Sequence, residues 1–128
     1  METSMRLTLW PLRLLVTGHL VAVLAQPVLA GRFLTGDVDA ITVHGAVGSS
    51  LAAAGLVLTV ATLLYVLAGR GRLWVAPVGV VLFLAVGVQV GAGYTRNLAL
   101  HVPLGVTIVV ASVLLAIWVW TPSAGRAR

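Results

Sequence analysis

The sequence predicts an all-α fold, a four-transmembrane-helix bundle built from two parallel helical-hairpin repeats. Three observations predict it. Apolar residues fill 60% of the 128 positions and charged ones only 9%, more apolar surface than a soluble domain of this size can hide. The apolar residues fall into four runs, at about 9–30, 42–67, 73–92 and 98–120, with none of Asp, Glu or Lys inside them. Each run reaches the roughly 20 helical residues that span a hydrocarbon core. Finally, the runs do not alternate and are twice the length of a barrel strand, so they are helices.

The first run carries Arg13 near its start, where a long side chain can snorkel to the interface. Gly36-Asp37 separates it from the second run, and Gly69-Arg70-Gly71-Arg72 separates the second from the third. Pro27, Pro77 and Pro103 are expected near helix ends, where a missing N–H costs least. Arg6 and Arg13 before an apolar stretch ending Val28-Leu29-Ala30 also have the outline of a cleavable signal peptide. The repeat described below favours keeping the segment, because its removal would take half of one unit. Residues 1–128 thus read as a single transmembrane domain.

Arginines set the expected orientation. Arg6, Arg13, Arg70, Arg72, Arg126 and Arg128 fall on one side of a four-span arrangement. Arg32, Arg96, Asp37 and Asp39 fall on the other. The positive-inside rule puts the first group, and both termini, in the cytoplasm. Trp10, Trp74, Trp118 and Trp120 then form an aromatic belt at that interface. The net charge of +5 therefore reads as a topology signal, with the bilayer and not nucleic acid as the partner. With no Cys, the chain holds no disulfide, thiolate metal site or thioether-attached haem.

Two stretches of the chain resemble each other. The first run ends Gln26-Pro27-Val28-Leu29-Ala30-Gly31-Arg32, and the second opens His44-Gly45-Ala46-Val47-Gly48. The third ends Gln89-Val90-Gly91-Ala92-Gly93, then Arg96, and the fourth opens His101-Val102-Pro103-Leu104-Gly105. Each half reads Gln, small residues, Arg, then His-x-x-x-Gly. Two such units are related by a pseudo-two-fold axis along the membrane normal. His44 and His101 are expected at one depth, about one turn inside the outer face, pointing at each other.

Gly48 and Gly105 lie one turn deeper on the same faces, and Gly55 and Ser112 follow eleven residues after each His. A flat ring held between two imidazoles needs that lack of side chains, as does a close helix–helix contact. Gly45-Ser49-Ala53 and Gly87-Gly91 look more like helix-contact stripes. Ionisable residues in a membrane are functional candidates by default. His44 and His101 together favour bis-imidazole ligation of haem b, with interfacial hydrogen bonding as the plainer alternative. Arg32 and Arg96 can pair with propionates or be ordinary loop charge. Gln26 and Gln89 can orient a His ring, donate to a propionate, or bond between helices. His19, deeper in the first run, is expected to bond Thr59, Thr62 or Ser112, with a proton relay or quinone contact as the alternative.

The run Gln89-Val-Gly-Ala-Gly-Tyr-Thr followed by His101-Val-Pro-Leu-Gly resembles the haem A synthase family, as does His44 with Gly48. The chain resembles one four-helix haem-binding half of that family over nearly its full length. The resemblance implies a haem framework at His44 and His101. It does not imply the oxidation of a haem methyl group, since the family's Arg after the first ligand and acid three residues before it are here Gly45 and Ile41. The chain also resembles small four-helix membrane proteins of bacteria, which implies a bacterial plasma membrane. The leading expectation is an electron-transfer haem protein, working with other membrane subunits or a quinone. The alternative is a cofactor-free structural or assembly subunit. A transporter is weaker, since no charged residue lines a path. The only acids are Glu2, Asp37 and Asp39, so no paired-carboxylate chemistry is expected within the membrane.

The charge asymmetry makes a direct prediction. A reporter that works only in the cytoplasm, fused after Arg128, is expected to be active, whereas a reporter active only outside the cell is expected to be silent there and active in the 35–39 loop.

Overall fold

The computed structural model describes residues 2–128, and the side chain of Glu2 lies outside the described residues. Four α-helices follow in order: α1 (Glu2–Leu34), α2 (Asp39–Leu67), α3 (Val75–Tyr94) and α4 (Leu98–Val119). A single 3-10 turn, Pro122–Gly125, ends the ordered chain. All four helices are long and apolar enough to cross a membrane, the architecture of a multi-pass membrane protein.

The helix ends differ from the sequence expectation mainly at α1. Its 33 residues are about 50 Å long at 1.5 Å per residue, well beyond a hydrocarbon core. At its start the extension holds because Met5, one turn before Leu9, continues the buried face of the helix past the apolar run. Pro27 accordingly lies inside α1 and not at its end. Gly36 closes the first loop with a left-handed backbone, φ +105°. At the second loop Gly71 lies against the Tyr65 ring, where any Cβ would collide.

Each helix packs on two neighbours: α1 on α2 and α4, and α3 on α2 and α4. α2 and α4 are diagonal, as are α1 and α3, and their backbones do not approach closely. Inside this square the buried residues fall at alternating three- and four-residue spacing, the pattern of a left-handed helix bundle. Val23, Leu51, Val86 and Ile108, one from each helix, form a single apolar cluster. The same spacing continues to His19, Gly55, Leu82 and Ser112, all buried. Val16, Leu58, Gly79 and Leu115 come next, then Leu12, Thr62, Val75 and Val119, the last four fully buried.

Packing is tightest at the end holding the tryptophans. Trp118 meets Trp74 at 4.4 Å and Tyr65 at 6.2 Å, both edge to face. The Trp10 and Trp120 rings meet edge to face at 5.8 Å, and the Arg13 guanidinium packs against both, 5.2 and 5.0 Å from their centroids. Its Nε donates to the Val119 carbonyl at 3.0 Å, capping the negative end of α4. Trp120 Nε1 adds a bond to Thr17 Oγ1 at 3.1 Å. Arg13 thus ties α1 to α4 as well as snorkelling.

One packing expectation is corrected. Gly87 and Gly91 are exposed and have nothing within 4 Å of where a Cβ would stand, so that stripe faces away from the bundle, whereas Gly45 borders open space inside it and Ser49 Oγ lies 3.2 Å from the Tyr94 hydroxyl of α3. Close approach falls instead at Gly79, which packs on Thr62, and Gly55, whose Cβ would lie 3.3 Å from the Phe83 ring. Thr59 reinforces that contact by donating to the Gly79 carbonyl at 3.2 Å. Replacing Gly79 by Leu is therefore expected to destabilise the bundle by about 1–3 kcal/mol, whereas Gly87→Leu stays within about 0.5 kcal/mol. Reversible unfolding in mixed micelles measures both, and equal losses would contradict the packing described.

Candidate functional site

The site forms where the other end of the bundle opens. Asn97 caps α4 by accepting a bond from the Leu100 N–H at 3.2 Å, and its carbonyl takes the His101 N–H at 2.8 Å. That places His101 in the first turn of α4. Asp39, in the first turn of α2, complements the positive helix end one turn before His44. Both imidazoles are half-buried and face inward from the two diagonal helices.

Each ring is held by the same bond. His44 Nδ1 lies 3.1 Å from the carbonyl oxygen of Gln26, and His101 Nδ1 lies 2.9 Å from that of Gln89. A carbonyl only accepts, so Nδ1 carries the proton and donates in both cases. In the neutral ring Nε2 is then left with a free lone pair, the form in which imidazole ligates metals. Among the described residues neither Nε2 has a hydrogen-bond partner. The ring centroids stand 6.0 Å apart with the planes tilted by 55°, so the rings face each other without stacking.

The space around the pair is a cavity of about 610 Å³, within the usual range of ligand and cofactor sites. Gln26, Gln89, Gly48 and Gly105 line it together with both histidines. Its floor is the apolar layer of Val23, Leu51, Val86 and Ile108. Gly105 serves a purpose beyond leaving space for a ring. A Cβ on Gly48 would stand 3.7 Å from Gln26 Oε1, and one on Gly105 would stand 2.8 Å from Gln89 Nε2. Gly105 thus makes room for the Gln89 amide directly beneath the His, whereas a Cβ at Gly48 would only make ordinary contact with the Gln26 amide. The two amides leave Gln26 Nε2 and Gln89 Oε1 buried without a partner. Gly93 admits the His101 ring, whose Cε1 would lie 3.0 Å from a Cβ there.

Arg32 and Arg96 lie outside the cavity lining. Arg32 pairs with Asp37 at 2.6 Å, and Arg96 stands exposed in the last loop with φ 56°. His19 is corrected more sharply. It is 5% exposed, and its Nε2 has no partner. Thr59 bonds the Gly55 and Gly79 carbonyls, Thr62 bonds the Thr59 carbonyl, and Ser112 Oγ is itself buried and unpartnered. The expected bond from His19 is absent: the Thr59 and Thr62 hydroxyls are turned to carbonyls, and Ser112 Oγ, in the same layer, makes no bond to it.

No protein-family model matches the chain, and no curated protein or solved structure matches it either. The site therefore stands on its own geometry. The sequence pattern located His44, His101, Gln26, Gln89, Gly48 and Gly105, which the fold brings to one cavity. It missed the valines of α4 that form a wall, Val102, Val106 and Val110, because nothing in an apolar run marks which side is a wall.

The unequal fit of the two amides is testable. Gly105→Ala is expected to displace the Gln89 amide at a cost of about 1 kcal/mol, and Gly48→Ala to cost less than that. Adding Gln89→Ala to Gly105→Ala should recover part of the loss in the same unfolding assay.

Proposed function

We propose that the chain is a multi-pass membrane haem protein, transferring electrons through one b-type haem held between His44 and His101. The observation carrying this reading is the matched pair of imidazoles, each fixed by Nδ1–H donation to a Gln carbonyl with Nε2 left free. A metal–imidazole nitrogen bond is about 2 Å and the ring centre lies about 1 Å further back, so two trans imidazoles hold their centroids roughly 6 Å apart. The separation of 6.0 Å fits that requirement.

The donor set points the same way. Among the described residues no three His, Asp or Glu converge, so a bare metal ion lacks ligands. A porphyrin brings four nitrogens and needs only two more. Without Cys it is held non-covalently. The unpartnered amides of Gln26 and Gln89 supply a donor or acceptor to its polar substituents. Bound haem supplies a one-electron couple. The chain supplies the axial imidazoles, their orientation through the Gln carbonyls, and an apolar floor that excludes water.

The repeat belongs to this proposal. Val23 and Gln26 of α1 match Val86 and Gln89 of α3 in spacing, and His44, Gly48 and Leu51 of α2 match His101, Gly105 and Ile108 of α4, while the stretch from Gln to His is longer in the first hairpin. This supports two parallel hairpin units, and the resemblance to one half of the haem A synthase family agrees with it. The arginine asymmetry supports cytoplasmic termini in a bacterial plasma membrane, with the histidines at the outer end. One observation favours a second reading, a structural or assembly subunit: the small-residue face at Gly87-Gly91 is open to a partner helix.

Spectra of purified protein, oxidised and then reduced, test the proposal. The expected result is a low-spin bis-imidazole spectrum with one haem per chain. His44→Ala and His101→Ala should each convert it to high spin or lose the haem. His19→Ala should leave it nearly unchanged, because His19 lies about 10 Å below the Gln26 level at 1.5 Å per residue. A folded parent without haem would leave the subunit reading.

A further inference from the structure

Leu98, Val102, Val106 and Val110 follow one another at four-residue spacing along α4, and all four line the cavity. All four are also exposed on the outside, at 62, 58, 60 and 52%. A side chain that lines a cavity and is more than half exposed marks a wall with an opening in it. The stripe runs about 18 Å down the helix, at 1.5 Å per residue. Val110 lies nine residues below His101, so the opening is no shallow rim at the end of the bundle.

The opening lies on the seam with α1. Further along that side of α4, Trp120 contacts Trp10 and Thr17 of α1, which closes the seam. Towards the histidines the seam has no such filling. Pro27 and Ala30 of α1 line the cavity opposite the valines, and neither side chain reaches far. Pro27 is exposed as well. The seam is thus zipped at the tryptophan end and slotted at the histidine end. Every side chain bordering the slot is apolar, at a depth where the helices meet lipid tails.

We propose that this cavity is entered sideways from the bilayer, through the slot between α1 and α4, by a flat amphiphile dissolved in the lipid. The slot runs along the helix, a direction in which a flat molecule enters edge-on. It leads between the two imidazoles, and its borders present no polar group that would hold a water path open. That the amphiphile is haem rests on the function proposed above. The slot itself does not.

Two measurements separate these parts. The chain has no Cys, so a single one introduced as Val109→Cys, half-buried in the cavity lining behind the slot, carries a unique nitroxide label. In nanodiscs the label should collide with lipid-dissolved oxygen as a label at lipid-facing Leu114→Cys does. If it instead collides with a water-soluble nickel chelate as a label at exposed Arg96→Cys does, the lipid route is wrong. Next, Val106→Trp fills the slot as Trp120 fills the seam beyond it. Haem transfer from loaded phosphatidylcholine vesicles into haem-free protein should slow about tenfold or more, as expected when a gating step is obstructed. An unchanged rate overturns the proposal. If the parent takes up no haem at all, the haem reading fails, while the label result still decides the slot.

Discussion

Lipid tails are as apolar as leucine, so burial from water does not hold these four helices together once they are in a membrane. What remains is the fit of side chain against side chain and the few polar bonds between helices. That constraint explains the layered interior. Leu12, Thr62, Val75 and Val119 fill one level completely, and Gly79 lets α3 close on Thr62 just above. Where fit is abandoned, as around His44 and His101, the departure needs compensation. It comes from two imidazole-to-carbonyl bonds that brace α2 on α1 and α4 on α3.

Those two bonds do more than brace. A backbone carbonyl inside a helix is already shared with the N–H four residues on, yet its second lone pair is free to accept again. Using it to orient an imidazole requires no additional polar side chain in the apolar interior. It also settles the tautomer, since the acceptor cannot donate back. Gly105 lets the Gln89 amide fold under the ring, and the Gln26 amide rests beside Gly48, which places two polar groups at the cavity without exposing them to lipid.

Much of this was legible in the sequence. Run lengths and the Gly-Arg turn marked four helices, and the repeated Gln, His and Gly positions marked the cavity. Other features were not, for physical reasons. The extra length of α1 at its start rests on Met5 finding partners, which is a tertiary fact. The outward direction of Gly87 and Gly91 depends on helix rotation, which small residues in a uniformly apolar run do not report. Hydroxyl direction decides that His19 stays unpartnered, and a hydroxyl bonded to its own helix looks the same in sequence as one that crosses. Arg32 finds Asp37 because the loop turns back on itself, a local event the charge count alone does not show.

The clasp of Arg13 against two touching indoles has a mechanical consequence. It fixes α4 to α1 at Val119, while His101 stands 18 residues away along the same rod, about 27 Å at 1.5 Å per residue. The bundle is therefore built like a pair of tongs, with its pivot at the aromatic end and its jaws at the imidazoles. Over that arm a tilt of about 4° displaces the far end by about 2 Å. Small angular changes at the pivot thus become changes in grip between the rings, comparable to the length of one metal–nitrogen bond.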